Sequence, residues 1–404
     1  MVVLLAIAVA LAGTLAAVLY KNLIVNRDNG GEDSEPVAAV TPAAEETVLP
    51  TASPAPTPTP VTEEYHLSMF LTGDALIHGA LWYDAATADG SYDFRYQIAS
   101  VKEVAEKYDL QYYNQETIIG GDELGPHGYP TFNTPSQWGD AMRDAGFNLV
   151  SKATNHSLDQ GVYGINNSNA YWRQFPDVVT AGTNDTQEEY DALPIYEMNG
   201  ITYAFMSYTY GTNGIEPPAD QPYVVNYYPG HEEEILEKIR RADELADVVI
   251  MAMHWGTEYS HEVNEEQETF ALQMSEAGAD IIVGNHPHVI QPISWINNHK
   301  TICYYAMGNM ISAQNDEQNL VGIISGLDIT KRVTGEEKEI IIDNVRADLI
   351  WTKYRRLSEN AVDSIRLYRF EELDDSILPN HDAIYEKYKA IMLSMDDSIT
   401  VGGV

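Results

Sequence analysis

Short apolar runs alternate with amphipathic segments along most of this chain. Apolar runs bounded by turn residues predict β-strands at His66–Leu71, Leu149–Ala153, Thr202–Tyr208, Val248–His254, Ile281–Val283 and Thr301–Tyr305. Apolar residues at helical spacing predict helices at Tyr96–Lys107, Gln137–Ala145, Val162–Gln174, His231–Ala246 and Asn264–Ala277. Strands and helices that alternate in this way are typical of an α/β fold.

The pattern changes after about Asn319, where strand-like runs follow one another without helices between them. These runs are Val321–Ile329, Glu339–Leu349 and Ser364–Tyr368. Residues 374–397 are typical of a peripheral helix with loops. We therefore expect one folded domain at 65–375 and a peripheral C-terminal tail at 376–404.

The N-terminal residues differ from the rest of the chain. Residues 1–20 are apolar apart from Thr14 and are about long enough to span a bilayer. Residues 28–64 contain no Lys or Arg and are rich in Pro, Thr, Ala and Glu, a composition that cannot bury a core. The sequence predicts a transmembrane anchor or signal peptide at 1–27 and a disordered acidic linker at 28–64.

The N-terminal segment has two alternative interpretations. A buried core helix is disfavoured because a polar linker follows directly and nothing nearby would cover such a helix. Lys21 and Arg27 follow the apolar run, and the positive-inside rule taken literally would place the domain inside the cell. We expect a single-pass anchor in the cell membrane with the domain outside.

The charge and cysteine content narrow the classes of partner. A formal net charge of −38 excludes nucleic acid, because no basic stripe is present to replace the counterions of phosphates. An anionic polymer would have to be attracted by a local site or by bound cations. The single cysteine, Cys303, excludes an internal disulfide framework.

Five loops that follow apolar runs carry side chains able to bind a metal. They contain Asp74; Glu116; Asn155 and His156; His254; and His286 and His288. Because α/β folds gather their ligands at the carboxyl ends of strands, these side chains are expected to meet. Carboxylate, amide and imidazole ligands together suit Mn, Fe or Zn better than Ca. The two histidines of the last loop, if extended, would point to one side and reach two adjacent metals.

Each of these residues also has an ordinary structural interpretation. Asp74 after a glycine can be a turn residue or a helix cap, and His254 can be a satisfied core histidine. Tyr208, Tyr210 and Trp255 are candidate walls of a pocket, with aromatic core packing as an equal alternative. The recurrence of such residues at five strand ends favours the metal site.

These motifs, in this order, resemble the CapA family of capsule biosynthesis proteins of the poly-γ-glutamate type. The domain of that family belongs to the calcineurin-like metallophosphatase superfamily. The matching segments are 73–74, 114–116, 153–161, 254–259, 284–291 and 305–309, within residues 67–312. The resemblance implies a four-layer α/β/β/α sandwich of the metallo-dependent phosphatase type, preceded by the membrane helix and the stalk.

The resemblance also implies roles for individual residues. Asp74 would bind the first of two divalent metals and Glu116 would bridge both. The second metal would be held by Asn155, His254 and His286, and His288 would return to the first. His156 would be the acid that protonates a leaving oxygen, with Asp159 orienting its ring.

The chain departs from the superfamily pattern at two positions. Its Asp-x-His motif reads Asp74-Ala75-Leu76, so a histidine expected on the first metal is missing, and the bridging aspartate is replaced by Glu116. His78 is a candidate to supply the missing ligand; otherwise the metal would be lost or weakly held. The further candidates for the site are Asn114, Glu258 and Asn309.

Three functions remain open at this point. The resemblance implies a protein for biosynthesis or export of an anionic extracellular polymer such as poly-γ-glutamate, with membrane synthase subunits as expected partners. The second is a metal-dependent phosphoesterase or related hydrolase acting on an exported substrate, motivated by the full set His156, His254, His286 and His288. The third is a metal-free binding module, because a fold can outlive its chemistry. Whether the chain is an enzyme is not decided by its sequence.

Overall fold

The computed structural model describes residues 61–358 and 361–404. The helices are α1 (Gly79–Asp84), α2 (Ala99–Ala105), α3 (Ser136–Asp144), α4 (Gly161–Trp172), α5 (Gln187–Asp191), α6 (Glu232–Leu245), α7 (Glu265–Ala277) and α8 (His381–Met392). None of the helices in these residues is long and apolar enough to cross a membrane. The anchor predicted at 1–27 and the predicted linker as far as residue 60 lie outside the described residues, so they stay predictions.

The strands build two mixed sheets. They are β1 (Thr62–Ala75), β2 (Leu110–Asn114), β3 (Leu149–Ser151), β4 (Val179–Ala181), β5 (Ile195–Met198), β6 (Ile201–Thr209), β7 (Val248–His254), β8 (Ile281–Asn285), β9 (Ile293–Ile296), β10 (Thr301–Tyr304), β11 (Asn309–Ile311), β12 (Val321–Thr334), β13 (Glu337–Ser358), β14 (Ala361–Arg369) and β15 (Thr400–Val401). The first sheet has the order β14-β13-β12-β1-β2-β3-β4, with β11 beside β1 and β15 beside β13; the second has the order β5-β6-β7-β8-β10-β9.

Alternating side chains decide how the sheets pack. In β1, Met69 and Leu71 point into a core shared with Val248 and Ile250 of β7, so this core lies between the sheets. Phe70 points the other way, into a cluster shared with helices α2, α3 and α4. The opposite face of β7 packs on α6 and α7. The predicted α/β class is confirmed, and the layers run helix, sheet, sheet, helix.

The two ends of the domain differ in detail from the prediction. Strand β1 begins at Thr62 rather than at the predicted boundary of Tyr65, because its pairing with β12 continues to Thr334. The C-terminal segment predicted to be peripheral contains α8, whose Tyr388 and Met392 are fully buried against the core between the sheets. Strand β15 then pairs with β13. The C-terminal residues therefore contribute to the fold.

Two glycines allow the ends of β1 and β8 to lie close to the segment that follows β10. A Cβ atom on Gly73 would lie 1.9 Å from the carbonyl oxygen of Gly308, and one on Gly284 would lie 1.9 Å from that of Tyr305. The backbone N–H of Asp74 donates to the same Gly308 oxygen at 2.9 Å. Only glycine permits this approach, which holds the ends of β1 and β8 against one connecting segment.

Candidate metal centre

The strand ends bring the six predicted metal ligands into one buried site. Parallel pairing of β1 with β2, β2 with β3, and β7 with β8 places the carboxyl ends of these strands along one edge of each sheet. None of the six is more than 3% exposed, although all but Asn155 have titratable side chains: Asp74, Glu116, Asn155, His254, His286 and His288. Such burial of polar groups requires compensating partners.

Five of these residues form two overlapping sets of ligand atoms. Glu116, His254 and His286 form one set, which we call the imidazole group; Asp74, Glu116 and His288 form the other, the carboxylate group. Within each group, one ligand atom of every residue lies within 4.8 Å of the others. Glu116 belongs to both groups, as a bridging ligand would.

Short distances join the two groups. The Oε1 atom of Glu116 lies 3.8 Å from Nε2 of His254 and 3.4 Å from Nε2 of His288. On the other side, Nδ1 of His288 lies 3.4 Å from Oδ2 of Asp74. Two carboxylates and two imidazoles at such separations have room for cations between their ligand atoms.

Buried atoms in the site test whether a cation fits. Both carboxylate oxygens of Glu116 and Nδ1 of His286 are buried and form no hydrogen bond with any part of the chain that the structure describes. Burying a carboxylate that accepts no hydrogen bond costs on the order of several kcal/mol, as does the loss of a charged hydrogen bond. A divalent cation would satisfy all three atoms, so the residues present fit a metal.

The protonation states are also those of metal ligands. Burial, together with His288 and His156, lowers the pKa of His286 to about 3. Burial lowers the pKa of His254 well below its usual value, with the nearby His286 adding to the effect. Neutral imidazoles keep the lone pair that a metal needs. Burial and the charge of Asp74 raise the pKa of Glu116 well above normal, and a bound cation would reverse this.

Three asparagines hold the ligands in place. The Asn114 amide donates to Oδ1 of Asp74 at 2.8 Å, and Ser151 in turn donates to the Asn114 carbonyl at 2.5 Å. Oδ1 of Asn309 lies 3.1 Å from Nδ1 of His288. Oδ1 of Asn155 lies 3.0 Å from Nε2 of His254, so Asn155 sits beside the imidazole group. Such partners fix ring orientation around a metal.

The loop that carries His286 and His288 has an unusual backbone. The φ angles of these residues are +98° and +58°, so the expectation of an extended segment was wrong. The turn is held by the N–H of His286, which donates to Oδ2 of Asp74 at 3.2 Å. Each non-glycine residue in such a conformation costs about 1–3 kcal/mol, a cost typical of functional loops. The two rings end 6.1 Å apart, one in each group.

His156 and Asp159 form a separate pair next to this cluster. Nδ1 of His156 lies 2.7 Å from Oδ2 of Asp159, which also accepts the backbone N–H of Phe132 at 2.7 Å. The Phe132 ring packs edge-on against the His156 ring at 4.7 Å between centroids. His156 belongs to neither ligand group. Because the Asp159 carboxylate accepts, Nδ1 of His156 carries the proton in this contact and Nε2 is the nitrogen left for a ligand. Nε2 accepts a proton when the ring is neutral and donates one when the ring is charged.

Two further candidates are not brought into the ligand groups. The His78 ring is held at Nδ1 by the carbonyl of Leu76 at 3.1 Å, and burial lowers its pKa to about 4. Glu258 is exposed, and its charge adds to the raised pKa of Glu116 after burial and Asp74. In this structure neither supplies the histidine missing from the carboxylate group.

Aromatic residues complete the surroundings. The Tyr210 ring lies 4.5 Å from that of His286, whereas Tyr208 and Trp255 lie in the core behind the second sheet. Sequence reasoning missed Tyr259, 6.1 Å from His288, and Phe132. Tyr259 is the last residue of the matched segment 254–259, and its place in that segment is a signal that could have identified it. Phe132 lies in a loop without any periodic pattern, and no sequence signal pointed to it.

Comparison with known proteins assigns the family. Residues 68–314 match the family model described as bacterial capsule synthesis protein PGA_cap. The chain is 32% identical over 206 residues to the PGA biosynthesis protein CapA of Bacillus subtilis (strain 168), covering 50% of this chain and 52% of the relative. It is 30% identical over 179 residues to the capsule biosynthesis protein CapA of Bacillus anthracis, covering 43% and 42%.

The chain therefore spans about half the length of the curated relatives it matches. Among solved structures, a novel phosphatase from Mycoplasma pneumoniae superimposes with a TM-score of 0.41 at 13% identity, covering 70% of this chain and 94% of that one. The family match extends over more than half of the sequence and contains every ligand of both groups. The chain belongs to the bacterial capsule synthesis protein family PGA_cap.

Proposed function

We propose that this protein acts in the synthesis or export of an anionic extracellular polymer of the poly-γ-glutamate type, through a metal centre that binds the polymer's carboxylates. The family and the names of the two CapA relatives support the link to capsule synthesis. The single observation that carries the metal centre is Glu116, whose two buried oxygens accept no hydrogen bond from the described residues and which belongs to both ligand groups.

The charge of the chain makes a cation necessary for this role. With a net charge of −38, the protein repels a polyanion over most of its surface. Two divalent cations, probed first as Mn, Fe or Zn, would neutralise the two carboxylates of the centre and leave it positive. When bound, such cations act as Lewis acids toward carboxylate, amide or phosphoryl oxygens. The chain's own residues hold them, orient the ligands and keep bulk water out of the site.

The second candidate function is a metal-dependent hydrolase that acts on a phosphoester or a related exported substrate. The pair of His156 and Asp159 favours it, because a site that only binds has no need of an oriented acid. His156 would donate its Nε2 proton to the leaving oxygen, and Asp159 would stabilise the ring during the transfer. A metal-free binding module, the third hypothesis, leaves the orphaned atoms of Glu116 unexplained.

The cellular context is part of the same proposal. The apolar residues 1–20 and the acidic linker support attachment to the cell membrane by a single anchor, with the domain outside and membrane synthase subunits as partners. Membrane fractionation and protease treatment of intact cells test this placement. Full-length chain that stays in the supernatant after membrane sedimentation, or that resists external protease until lysis, would contradict it.

The polymer role is tested by gene deletion and complementation. Deletion is expected to reduce surface polymer, and the wild-type gene and the exposed-surface control Glu276→Gln to restore it. Glu116→Gln is expected to fail, because the bridging carboxylate is lost. Unchanged surface polymer after deletion would contradict the proposal.

The hydrolase candidate needs a separate assay on the full chain supplied with Mn, Fe or Zn. Phosphomonoesters, phosphodiesters and poly-γ-glutamate serve as substrates. If the protein is a hydrolase, His156→Gln keeps its metal and loses about 10²-fold or more in turnover, the usual contribution of an oriented acid. Absence of turnover by the metal-loaded wild type removes this candidate and leaves the polymer role standing.

A further inference from the structure

A cavity of about 300 Å³ lies at the edge of the sandwich, and none of its lining residues belongs to the ligand groups. Strands β4 and β5, which end the strand orders of the two sheets, contribute to its walls together with α4, β6 and the residues around α5. Its charged lining consists of Lys152, Arg173 and Lys238 against one carboxylate, Glu189. A cation-rich cavity is unexpected in a chain with 23 basic and 61 acidic residues. We call it the lysine cavity.

Lys152 is the most unusual residue of this cavity. Its side chain is buried, with only 6% of the residue exposed, and Nζ donates to Oδ1 of Asn169 at 2.6 Å. No carboxylate within residues 61–358 and 361–404 forms an ion pair with this ammonium. Burial lowers its pKa to about 7. A lysine is almost never buried unless it is paired. With this pKa, Lys152 exchanges between its neutral and charged forms near neutral pH, and an anion in the cavity would favour the charged form.

The carboxylates nearest to the cavity are already engaged. Arg173 donates one arm of its guanidinium to Asp185 and the other to Glu189, the second at 2.7 Å. The amide of Asn169 also donates to Asp185, at 2.6 Å. Asp185 and Glu189 are therefore paired with Arg173, and neither forms an ion pair with Lys152.

Lys238, on α6, is the second lysine of the cavity lining. Its Nζ donates to the carbonyl oxygen of Tyr190 at 2.6 Å and lies 4.6 Å from the centre of the Tyr190 ring. Neither contact neutralises the charge. Both lysines therefore belong to a lining that mixes amide and hydroxyl side chains, such as Asn184 and Thr183, with aromatic and apolar ones, such as Phe205 and Met206.

We propose that the lysine cavity binds a small organic carboxylate of amino-acid size, with Lys152 as the main anchor and Lys238 as the second cation. A volume of about 300 Å³ is at the lower end of small-molecule sites. The lining contains Tyr196, Phe205 and Met206, which offer a carbon skeleton an apolar surface that an inorganic anion would not use. An inorganic phosphate would be expected to use a free guanidinium fork, and that of Arg173 is occupied. This inference stands apart from the proposed function, because none of the ligand groups lines the cavity.

The source of the carboxylate is either a free small molecule or the end of a polymer. Exposed residues at the opening, Ala192 and Pro194, leave the mouth accessible to both. Lys152 also lines a space of about 10 Å³, the size of one water, together with Glu116. Metal content must therefore be measured beside ligand binding, because the two sites are close neighbours.

Calorimetric titration of the full chain tests the proposal. The probes are glutarate, L-glutamate and γ-glutamylglutamate, with the neutral diamide of glutarate and inorganic phosphate as comparisons. Glutarate is expected to bind, and its diamide to bind about ten-fold more weakly or not at all, because a charged hydrogen bond is lost. Binding of γ-glutamylglutamate as tight as that of glutarate would assign a polymer end; binding of the monomers alone would assign a free molecule.

Variants locate the binding site. Lys152→Met is expected to weaken glutarate binding about ten-fold or more and Lys238→Met by a smaller factor, while the exposed control Lys300→Met leaves it unchanged. Lys238 lies at the wall and is only partly buried, so its variant decides the matter if Lys152→Met fails to fold. Binding must persist after chelation and in Glu116→Gln, since metals would also attract carboxylates.

The proposal would be overturned by an absence of glutarate binding, by equal binding of glutarate to the folded lysine variants, or by phosphate binding as tight as that of glutarate. Loss of binding on chelation would also overturn it, because the carboxylate would then be on the metals. A failure of the proposed function shows itself differently, in the metal content and the surface polymer.

Discussion

The two ligand groups share Glu116 but differ in how far the protein itself satisfies the other ligands. In the carboxylate group, Asp74 accepts hydrogen bonds from the Asn114 amide and the His286 N–H, and Nδ1 of His288 has Asn309 beside it. In the imidazole group, Nδ1 of His286 is buried without a hydrogen-bond partner among the described residues. The imidazole group thus depends more strongly on a cation.

From this difference we infer which of the two groups binds its cation more tightly. The imidazole group has two neutral histidines, with Asn155 at hand, and imidazole suits Zn and Fe. The carboxylate group has a single histidine and lacks the one that the Asp-x-His motif would have supplied. We therefore expect a tight and a weak cation site that share one carboxylate.

The largest effect is expected from Glu116→Gln, which breaks both groups at once. A neutral amide in place of the shared carboxylate should reduce the metal content from about two equivalents to nearly none. Metal analysis of the full chain, purified without chelator, measures this. The same variant should raise the unfolding free energy of the chelated protein by about 1–3 kcal/mol, because it removes an unsatisfied buried acid.

Glu276→Gln on the exposed face of α7 is the matched control and should change neither quantity. Two retained equivalents in Glu116→Gln would refute the bridging role of this residue.

The next effect separates the two groups. His286→Ala should remove the tight site, and His288→Ala should remove mainly the weak one, since each histidine belongs to one group. Of these two variants, only His288→Ala should retain the tightly bound equivalent of metal, as measured by competition titration with a coloured chelator. The same affinity loss in both variants would show that the two groups bind metal as one inseparable unit.

A smaller effect is expected from His78→Phe, which tests whether this histidine stands outside both groups. Burial lowers the pKa of His78 from 6.5 to about 4, so the unfolded chain takes up its proton first as the pH falls. The folded state therefore loses stability between about pH 6.5 and 4. In the chelated variant this loss should shrink by about 1 kcal/mol, a value reduced for the partial exposure of the ring.

Denaturant unfolding at pH 7, 5.5 and 4 measures the change for His78→Phe. Its metal content should equal that of the wild type. A lost equivalent would mean that His78 is the missing ligand of the carboxylate group, which would erase the difference between the groups.

The smallest effect is expected from Glu258→Gln. Glu258 is exposed and acts on the centre only through its charge, so metal affinity should fall by about three-fold or less, as for other exposed charges. Because salt screens such charges, the difference should vanish at about 0.5 M salt. Persistence of the effect at high salt would indicate direct coordination by Glu258.

The sequence predicted the parts of the centre that follow from chain topology. Polar residues after apolar runs meet in an α/β fold because parallel strands end at one edge, and so Asp74, Glu116 and His254 lie together as expected. The pattern of apolar and polar residues does not predict the backbone conformation of the loop at His286. Its positive φ angle depends on tertiary contacts, in particular on the hydrogen bond to Asp74.

Other features were beyond prediction for a similar reason. Phe132 packs on His156 from a loop that has no periodicity, and the burial of Tyr388 becomes visible only when α8 meets the space between the sheets. The lysine cavity depends on Lys152, which follows a strand as an ordinary surface lysine would. Its burial results from the packing of α4 and the second sheet around it.

The length of β1 has a consequence for where the site can act. Twelve residues separate Thr62, where the strand begins, from Asp74 at the centre, which is a distance of about 40 Å along an extended strand. Val61, just before the strand, is exposed. The residue at which the chain enters β1, Thr62, therefore lies at the end of the strand that is remote from the metal ligands. A ligand that reaches the centre is therefore about the full length of β1 away from the residue at which that strand begins.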